Sequence, residues 1–142
     1  MIHKRLHHIG VIMPSLEEAE AFMKQFGLEV DHKGYVAPYH AHYIFTKMNE
    51  NESESPLELL IPTEGVLAQY NKGRGGIHHI CYEVDDVQAA CDEFVSKGYE
   101  MLEKEVSQAS PTMKINFVRP KYTHGILVEF MEITEPTEDY LK

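Results

Sequence analysis

Cysteine is scarce in this chain: only Cys81 and Cys91 occur among 142 residues, and they form no CxxC pair. Two thiols at that spacing exclude a disulfide scaffold and a thiolate zinc or redox site, which leaves both to pack as small apolar residues. Basic residues are also few, 13 against 23 acidic ones, for a formal net charge of −10. That balance excludes nucleic acid as a partner, because a phosphate backbone needs a basic surface. No apolar run reaches the length of a membrane span, so no membrane partner is expected. The first residues lack the apolar stretch and small-residue cleavage site of a secretory signal, and the expected location is cytoplasmic.

What is present is the composition of an ordinary globular protein, 43% hydrophobic and 25% charged, at a length suited to one domain. Within it one interval repeats. His8 recurs as His79 and Glu58 as Glu129, each 71 positions on (79 less 8, 129 less 58). The same interval relates His7 to His78, Leu16 to Val87, Ala19 to Ala90, Met23 to Phe94 and Gly27 to Gly98, with no net insertion. Self-similarity at a fixed period means two copies of one supersecondary unit. The expected layout is one domain over residues 1–142, with modules at 5–61 and 77–133, a linker at 62–76 and a loosely held acidic tail at 134–142.

Hydrophobic periodicity gives each copy the same plan. Leu6 to Ile12 alternates as a strand, with His8, Gly10 and Ile12 on one face and His7, Ile9 and Val11 on the other. Ser15 with Glu18 three residues on starts a helix, Leu16, Ala19, Met23 and Phe26 form its apolar stripe, and Gly27 ends it. Extended pieces follow around Leu28 to Val30 and Val36 to Met48, then a polar hairpin loop from Asn49 to Ser55. In the strand Leu57 to Ile61, Leu57, Leu59 and Ile61 face the helix while Glu58 and Leu60 face away. A short helical piece at Val66 to Tyr70 and a turn at Gly73, Gly75 and Gly76 lead into the second copy. There the strands are Ile77 to Val84, Lys114 to Val118 and Ile126 to Ile133, with a helix capped near Asp86 that turns Val87, Ala90 and Phe94 inward. Each half reads βαβββ.

Glu58 and Glu129 each interrupt an apolar strand, Leu57-Glu58-Leu59-Leu60 and Val128-Glu129-Phe130-Met131, where a glutamate is normally excluded. A carboxylate buried without a partner costs several kcal/mol. One divalent metal bound between the modules by His8, Glu58, His79 and Glu129 removes that cost, and two imidazoles with two carboxylates suit zinc, nickel, cobalt, manganese or iron. The rival reading is a pair of edge strands with solvated glutamates. His7 and His78 fall on the opposite face and read as structural. His40 and His42, two apart near Tyr39, either reach the cleft or are solvated; His3, His32 and His124 carry no partner pattern. Cys81, two residues along from His79, reads as cleft lining. Lys72, Arg74, Arg119 and Lys121 are the cations that could gather about an anionic small molecule, if they are not simply scattered over the surface.

Four segments carry a likeness to a known family: LHHIGVIMPSLEEA from Leu6, LELLIP from Leu57, GGIHHICYEVDDVQAA from Gly75 and INFVRPKYTHGILVEF from Ile115. The chain resembles the vicinal oxygen chelate superfamily of glyoxalases, bleomycin and fosfomycin resistance proteins, extradiol dioxygenases and epimerases, over nearly all of residues 5 to 133. The likeness is greatest to its methylmalonyl-CoA epimerase and glyoxalase I branches. It implies an α+β fold in which two tandem βαβββ modules form a cupped, barrel-like mixed sheet with helices outside, and a metal held at His8, Glu58, His79 and Glu129.

It also implies a metal-dependent isomerase, epimerase or lyase that removes a proton next to a carbonyl, the enediolate oxygen being held by the metal. Glu129 or Glu58 would be the base, and the other carboxylate or His42 would return the proton. The implied substrates are an acyl-CoA or, in a glyoxalase I-like lactoylglutathione lyase, a glutathione hemithioacetal or thioester. A metal-dependent resistance or binding protein is the third reading, and a homodimer is the expected assembly. Epimerases of the superfamily carry a further glutamate, used as a base, on a middle strand of the first module. No glutamate occurs here between Tyr35 and Met48, where His40 and His42 stand instead. The segment before the third strand of the second module is QASPTMKINF, in place of a loop rich in glycine and histidine, and Arg119-Pro120-Lys121 stands for a His-Pro-Lys run.

Overall fold

A computed structural model describes residues 3–134; the acidic tail from residue 135 on lies outside the described residues. The described chain forms strands β1 His3–Ile12, β2 Val30–Val36, β3 Ala41–Thr46, β4 Leu57–Pro62, β5 Gly76–Val84, β6 Ser107–Ser110, β7 Met113–Val118 and β8 Leu127–Ile133. Helix α1, Leu16–Phe26, follows β1, and helix α2, Val87–Ser96, follows β5. The plan is the expected α+β repeat of βαβββ. Contacts divide it into two compact units, one His8–His78, the other residues 3–7 with 79–134.

In the unit His8–His78, β1 pairs parallel with β4, β4 antiparallel with β3, and β3 antiparallel with β2. The crossover from β1 to its parallel neighbour passes through α1. Ser15 caps that helix by accepting a hydrogen bond from the Glu18 amide at 3.1 Å, and Gly27 closes it at φ 65°, a left-handed conformation that a side chain resists. Ala19 and Met23 of α1 bury against Ile44, Leu59 and Ile61 of the sheet, with Met13 beside them. The stripe is narrower than its periodicity suggests: Leu16 and Phe26 are exposed, and Phe22 packs at the edge instead. On the other face of the same strands Ile12, Ala41 and Leu60 form a smaller cluster, joined by Tyr43 and Leu67.

The second unit repeats the scheme with β5 parallel to β8, β8 antiparallel to β7 and β7 antiparallel to β6. Asp86 caps α2 by accepting from the Ala89 amide at 3.0 Å, and Val87, Ala90 and Cys91 bury against Val84, Val118 and Phe130. Asn116 carries the polar load of this core, accepting from the Glu103 and Phe117 amides and donating to the Glu103 carbonyl.

Three expectations need correction. The break between β2 and β3 falls at a 3-10 turn over Ala37–Tyr39, where Pro38 cannot donate to a ladder, so Val30 to Val36 is strand where a gap was expected. The helical piece after Pro62 is a 3-10 segment, Leu67–Gly73, broken by left-handed Asn71 and Lys72. QASPTMKINF, read as a loop before a strand, contains the β6 to β7 hairpin.

Candidate functional site

Residues side by side on paired strands point to the same face, so the registers fix what surrounds each glutamate. Glu58 lies opposite Gly10 on β1 and Phe45 on β3. Alternation adds His8 from β1 and Tyr43 from β3 to that face, and leaves Leu57, Leu59 and Ile61 for α1. His8 Nε2 stands 3.6 Å from Glu58 Oε1, and the imidazole edge meets the Phe45 ring at 5.0 Å between centroids. His8 is almost fully buried and Glu58 nearly so.

The second unit builds the same arrangement. Glu129 lies opposite Cys81 on β5 and Phe117 on β7. His79 Nε2 stands 3.4 Å from Glu129 Oε1, both side chains buried, and His79 meets the Phe117 ring edge-on at 6.1 Å. The small residue beside each glutamate, Gly10 and Cys81, is again related by 71 positions. Cys81 is fully buried on the Glu129 face. Glu83, two residues further along β5, also lies on that side and is held by Arg5 at 2.8 Å.

These pairs suit a cation by their donor chemistry. Two donors on one ion with bonds of about 2.1 Å lie about 3.0 Å apart in octahedral and about 3.4 Å apart in tetrahedral geometry. The observed 3.6 Å and 3.4 Å separations are within easy reach of both.

His42 does not join either pair. Its β4 partner is Ile61, which puts it on the α1 side of the sheet, exposed and against the Tyr35 ring at 4.8 Å. The proton-return role expected of it has no geometric basis. His40 is not in a strand at all: it ends the 3-10 turn at φ 51° and pairs with Glu64 at 3.3 Å on the surface. Two residues apart, the two histidines therefore share no face. Arg119 and Lys121 both turn to Glu100, at 3.5 Å each, and Lys72 and Arg74 are exposed on the turn before β5.

Two residues that the sequence left unassigned do stand on the Glu58 side. His32, opposite Phe45 on β2, stacks on its ring at 4.7 Å and holds Asp31 through Nδ1 at 2.7 Å. Tyr43 lies opposite Leu60, and burial followed by the charge of Glu58 holds its phenol above the usual tyrosine range. The alternation of Tyr43 and Phe45 with His42 and Ile44 carries this signal, but both faces of β3 are apolar enough to hide it.

Residues 7–117 match the model of the Glyoxalase/Bleomycin resistance protein/Dioxygenase superfamily. The chain belongs to this superfamily. Within it, the chain is 34% identical over 128 residues to the human protein named methylmalonyl-CoA epimerase, mitochondrial, a match that covers 88% of this chain and 72% of that one. It is 32% identical over 133 residues to the ethylmalonyl-CoA/methylmalonyl-CoA epimerase of Cereibacter sphaeroides, covering 91% of this chain and 98% of that one.

Solved structures agree. A variant of Streptomyces coelicolor methylmalonyl-CoA epimerase in complex with 2-nitronate-propionyl-CoA superposes with a TM-score of 0.80 at 27% identity, over 93% of this chain and 99% of that one. A methylmalonyl-CoA epimerase in complex with methylmalonyl-CoA and ammonium gives 0.80 at 27% identity, over 95% and 100%. The glyoxalase-like α+β fold follows, and the chain is an epimerase-like enzyme of the superfamily. No helix among the described residues is long and apolar enough to cross a membrane.

Proposed function

We propose that this chain is a divalent-metal-dependent epimerase that inverts the carbon next to the thioester carbonyl of a short branched acyl-CoA, with methylmalonyl-CoA as the first substrate to test. The observation that carries this reading is the doubled histidine and glutamate pair, 3.6 Å apart in one unit and 3.4 Å in the other, on strand faces turned away from the helices, with His8, His79 and Glu129 buried and Glu58 partly so. Its support from relatives is the run of methylmalonyl-CoA epimerases among the similar proteins and structures.

His8, Glu58, His79 and Glu129 would together hold one cation. What a divalent cation supplies when bound there is polarisation of the thioester carbonyl and stabilisation of negative charge on its oxygen. The chain's own carboxylates do the proton chemistry: Glu129 or Glu58 takes the α-proton, and the apolar rings of Phe45 and Phe117 beside them keep bulk water from competing. Ordinary thioester α-protons are too weakly acidic for a free carboxylate to remove quickly, so the charge-stabilising partner and the base have to act on the same bound carbonyl compound.

Proton NMR in deuterium oxide on protein loaded with zinc, nickel, cobalt, manganese or iron tests this. Methylmalonyl-CoA should exchange its α-proton and epimerise, whereas the methylglyoxal–glutathione hemithioacetal should not be converted. The opposite pattern would make the chain a glyoxalase I-like lyase, and turnover of neither would leave a binding protein. The same reading extends to a homodimer in the cytoplasm; a mass of two chains by light scattering supports the dimer, and a single-chain mass removes it.

A further inference from the structure

We propose that Tyr43 is the second catalytic group of the epimerisation, the one that delivers a proton to the α-carbon after a carboxylate has taken one away. This rests on the function proposed above and names the residue that completes it.

The Glu58 face of the unit His8–His78 is short of proton carriers. By register it consists of His8, Gly10 and Ile12 on β1, Glu58, Leu60 and Pro62 on β4, Ala41, Tyr43 and Phe45 on β3, and His32, Gly34 and Val36 on β2. Among these described residues, four side chains carry an exchangeable proton or take one up. His8 is assigned to the cation, and Glu58 to the cation and, with Glu129, to removal of the α-proton. His32 is nearly half exposed and committed to Asp31 through Nδ1. Tyr43 alone is left to work on a bound molecule.

Its position is fixed by packing on three sides. Gly34 is its β2 partner, and a Cβ built there would fall 2.6 Å from the Tyr43 hydroxyl oxygen, so the ring lies over a gap that only glycine leaves. The His32 and Phe45 rings stand edge-on to it at 6.0 Å and 5.8 Å. Across the strands, Tyr43 is one ladder step and two residues from Glu58, about 8 Å between Cα atoms, on the same face of the sheet. A phenol, with an ordinary value of about 10, carries its proton through the neutral range and so has one to deliver.

The step balances with water as the only further reactant. A carboxylate takes the α-proton and the C–H electron pair moves into the carbonyl, giving a thioester enolate. The enolate then collapses, and its α-carbon takes the phenolic proton from the other side. The phenolate left behind is reprotonated from solvent, and the carboxylic acid releases its proton there. The face of delivery decides between simple exchange and inversion.

Tyr43→Phe removes one oxygen and little else. We expect epimerisation of methylmalonyl-CoA to fall at least about 100-fold in kcat, within the range for a lost general acid, with KM changed less than threefold. Exchange of the α-proton of the starting epimer in deuterium oxide should persist within threefold of the parent, because the carboxylate that removes the proton can also return deuterium to the same face. Gly34→Ala tests position with the hydroxyl kept: its added Cβ displaces the ring, and the same separation of exchange from inversion should appear, at about tenfold or more. Exchange and inversion that fall together in Tyr43→Phe, or inversion that survives, overturn the assignment. A metal-loaded parent that does neither reaction removes the proposed function itself, and the role of Tyr43 with it.

Discussion

Replacing His79 with alanine takes one nitrogen donor from a site to which each unit is proposed to give one imidazole and one carboxylate. Structural zinc sites with four protein ligands gain about 10–16 kcal/mol at neutral pH, or about 2.5–4 kcal/mol per ligand. A site of two histidines and two glutamates belongs at the lower end of that range, so His79→Ala should weaken metal affinity about 100-fold. His8→Ala should do the same, because its geometry is the same: Nε2 lies 3.6 Å from Glu58, against 3.4 Å for His79 and Glu129. Metal held at 100 times its dissociation constant stabilises the parent by about 2.7 kcal/mol, and a 100-fold weaker variant at that concentration retains about 0.4 kcal/mol. For a chain of this size the difference is about 5–10 °C in metal-dependent Tm. Calorimetric titration with zinc, backed by thermal melts with and without metal, measures both quantities. The stoichiometry is the decisive number. One ion per chain, with both single variants weakened alike, fits a shared site. Two ions per chain, with each variant losing only one of them, would show that the pairs bind independently and would refute the shared cation.

Glu129→Gln keeps the shape of the side chain but loses the carboxylate; α-proton exchange of methylmalonyl-CoA followed by NMR should fall at least about 100-fold while the melting curve of the apo protein stays put. A variant with near-normal exchange would move the base to Glu58. Leu59→Ala opens a cavity at a fully buried position between α1 and the sheet and should cost about 2–5 kcal/mol by urea unfolding, whereas Leu16→Ala, on the exposed part of the same helix, should cost well under 1 kcal/mol. Equal losses would put the core elsewhere. Alkaline pH should destabilise the fold. The Tyr43 phenol and the Cys91 thiol are both raised chiefly by burial, so the folded state holds their protons longer than the unfolded chain does. That stability is complete below the unfolded values, about 8.5 for cysteine and about 10 for tyrosine, and is lost as pH rises from there through the folded ones. Tyr43→Phe should flatten the upper part of the urea-unfolding profile against pH, and an unchanged slope contradicts the assigned burial.

The ligand pairs were legible in the sequence because each glutamate stands out against leucine, valine and phenylalanine neighbours, and because an interval of 71 relates both pairs at once. The helix ends were legible for a similar local reason: Ser15, Asp86 and Gly27 act within their own turn. Side-chain direction on β2 and β3 was not. The pairing of β2 with β3 slips between Val30 and His32, so counting by twos from either end of β2 gives opposite answers for His32. In β3 the run Tyr43-Ile44-Phe45 is apolar on both sides, and nothing in it says that Ile44 belongs to the helix face and Tyr43 to the other. The pairing with β4, in which the partners are 13 or more residues apart, decides it. β6 was missed because Ser107, Gln108, Ala109 and Ser110 have weak strand preference of their own, and the ladder to β7 supplies what they lack.

The two copies are not in phase throughout. Phe45 and Phe117 hold the same place beside their glutamates, yet they are 72 positions apart (117 less 45), where the histidines and glutamates are separated by 71. One residue has therefore been gained ahead of β7 and one lost between β7 and β8, in connections that tolerate it. Inside a strand a single residue is a different matter, since a shift of one turns every following side chain to the other face. Deleting Glu52 from the loop between β3 and β4 should therefore leave zinc affinity within about threefold of the parent. One alanine inserted between Leu57 and Glu58 should turn Glu58 toward α1 or force Leu59 out of the core, and either outcome costs the metal site or the fold. If the insertion kept both full zinc affinity and parental Tm, the facing of β4 would not be what sets the site, and the reading of His8 and Glu58 as one half of it would fail.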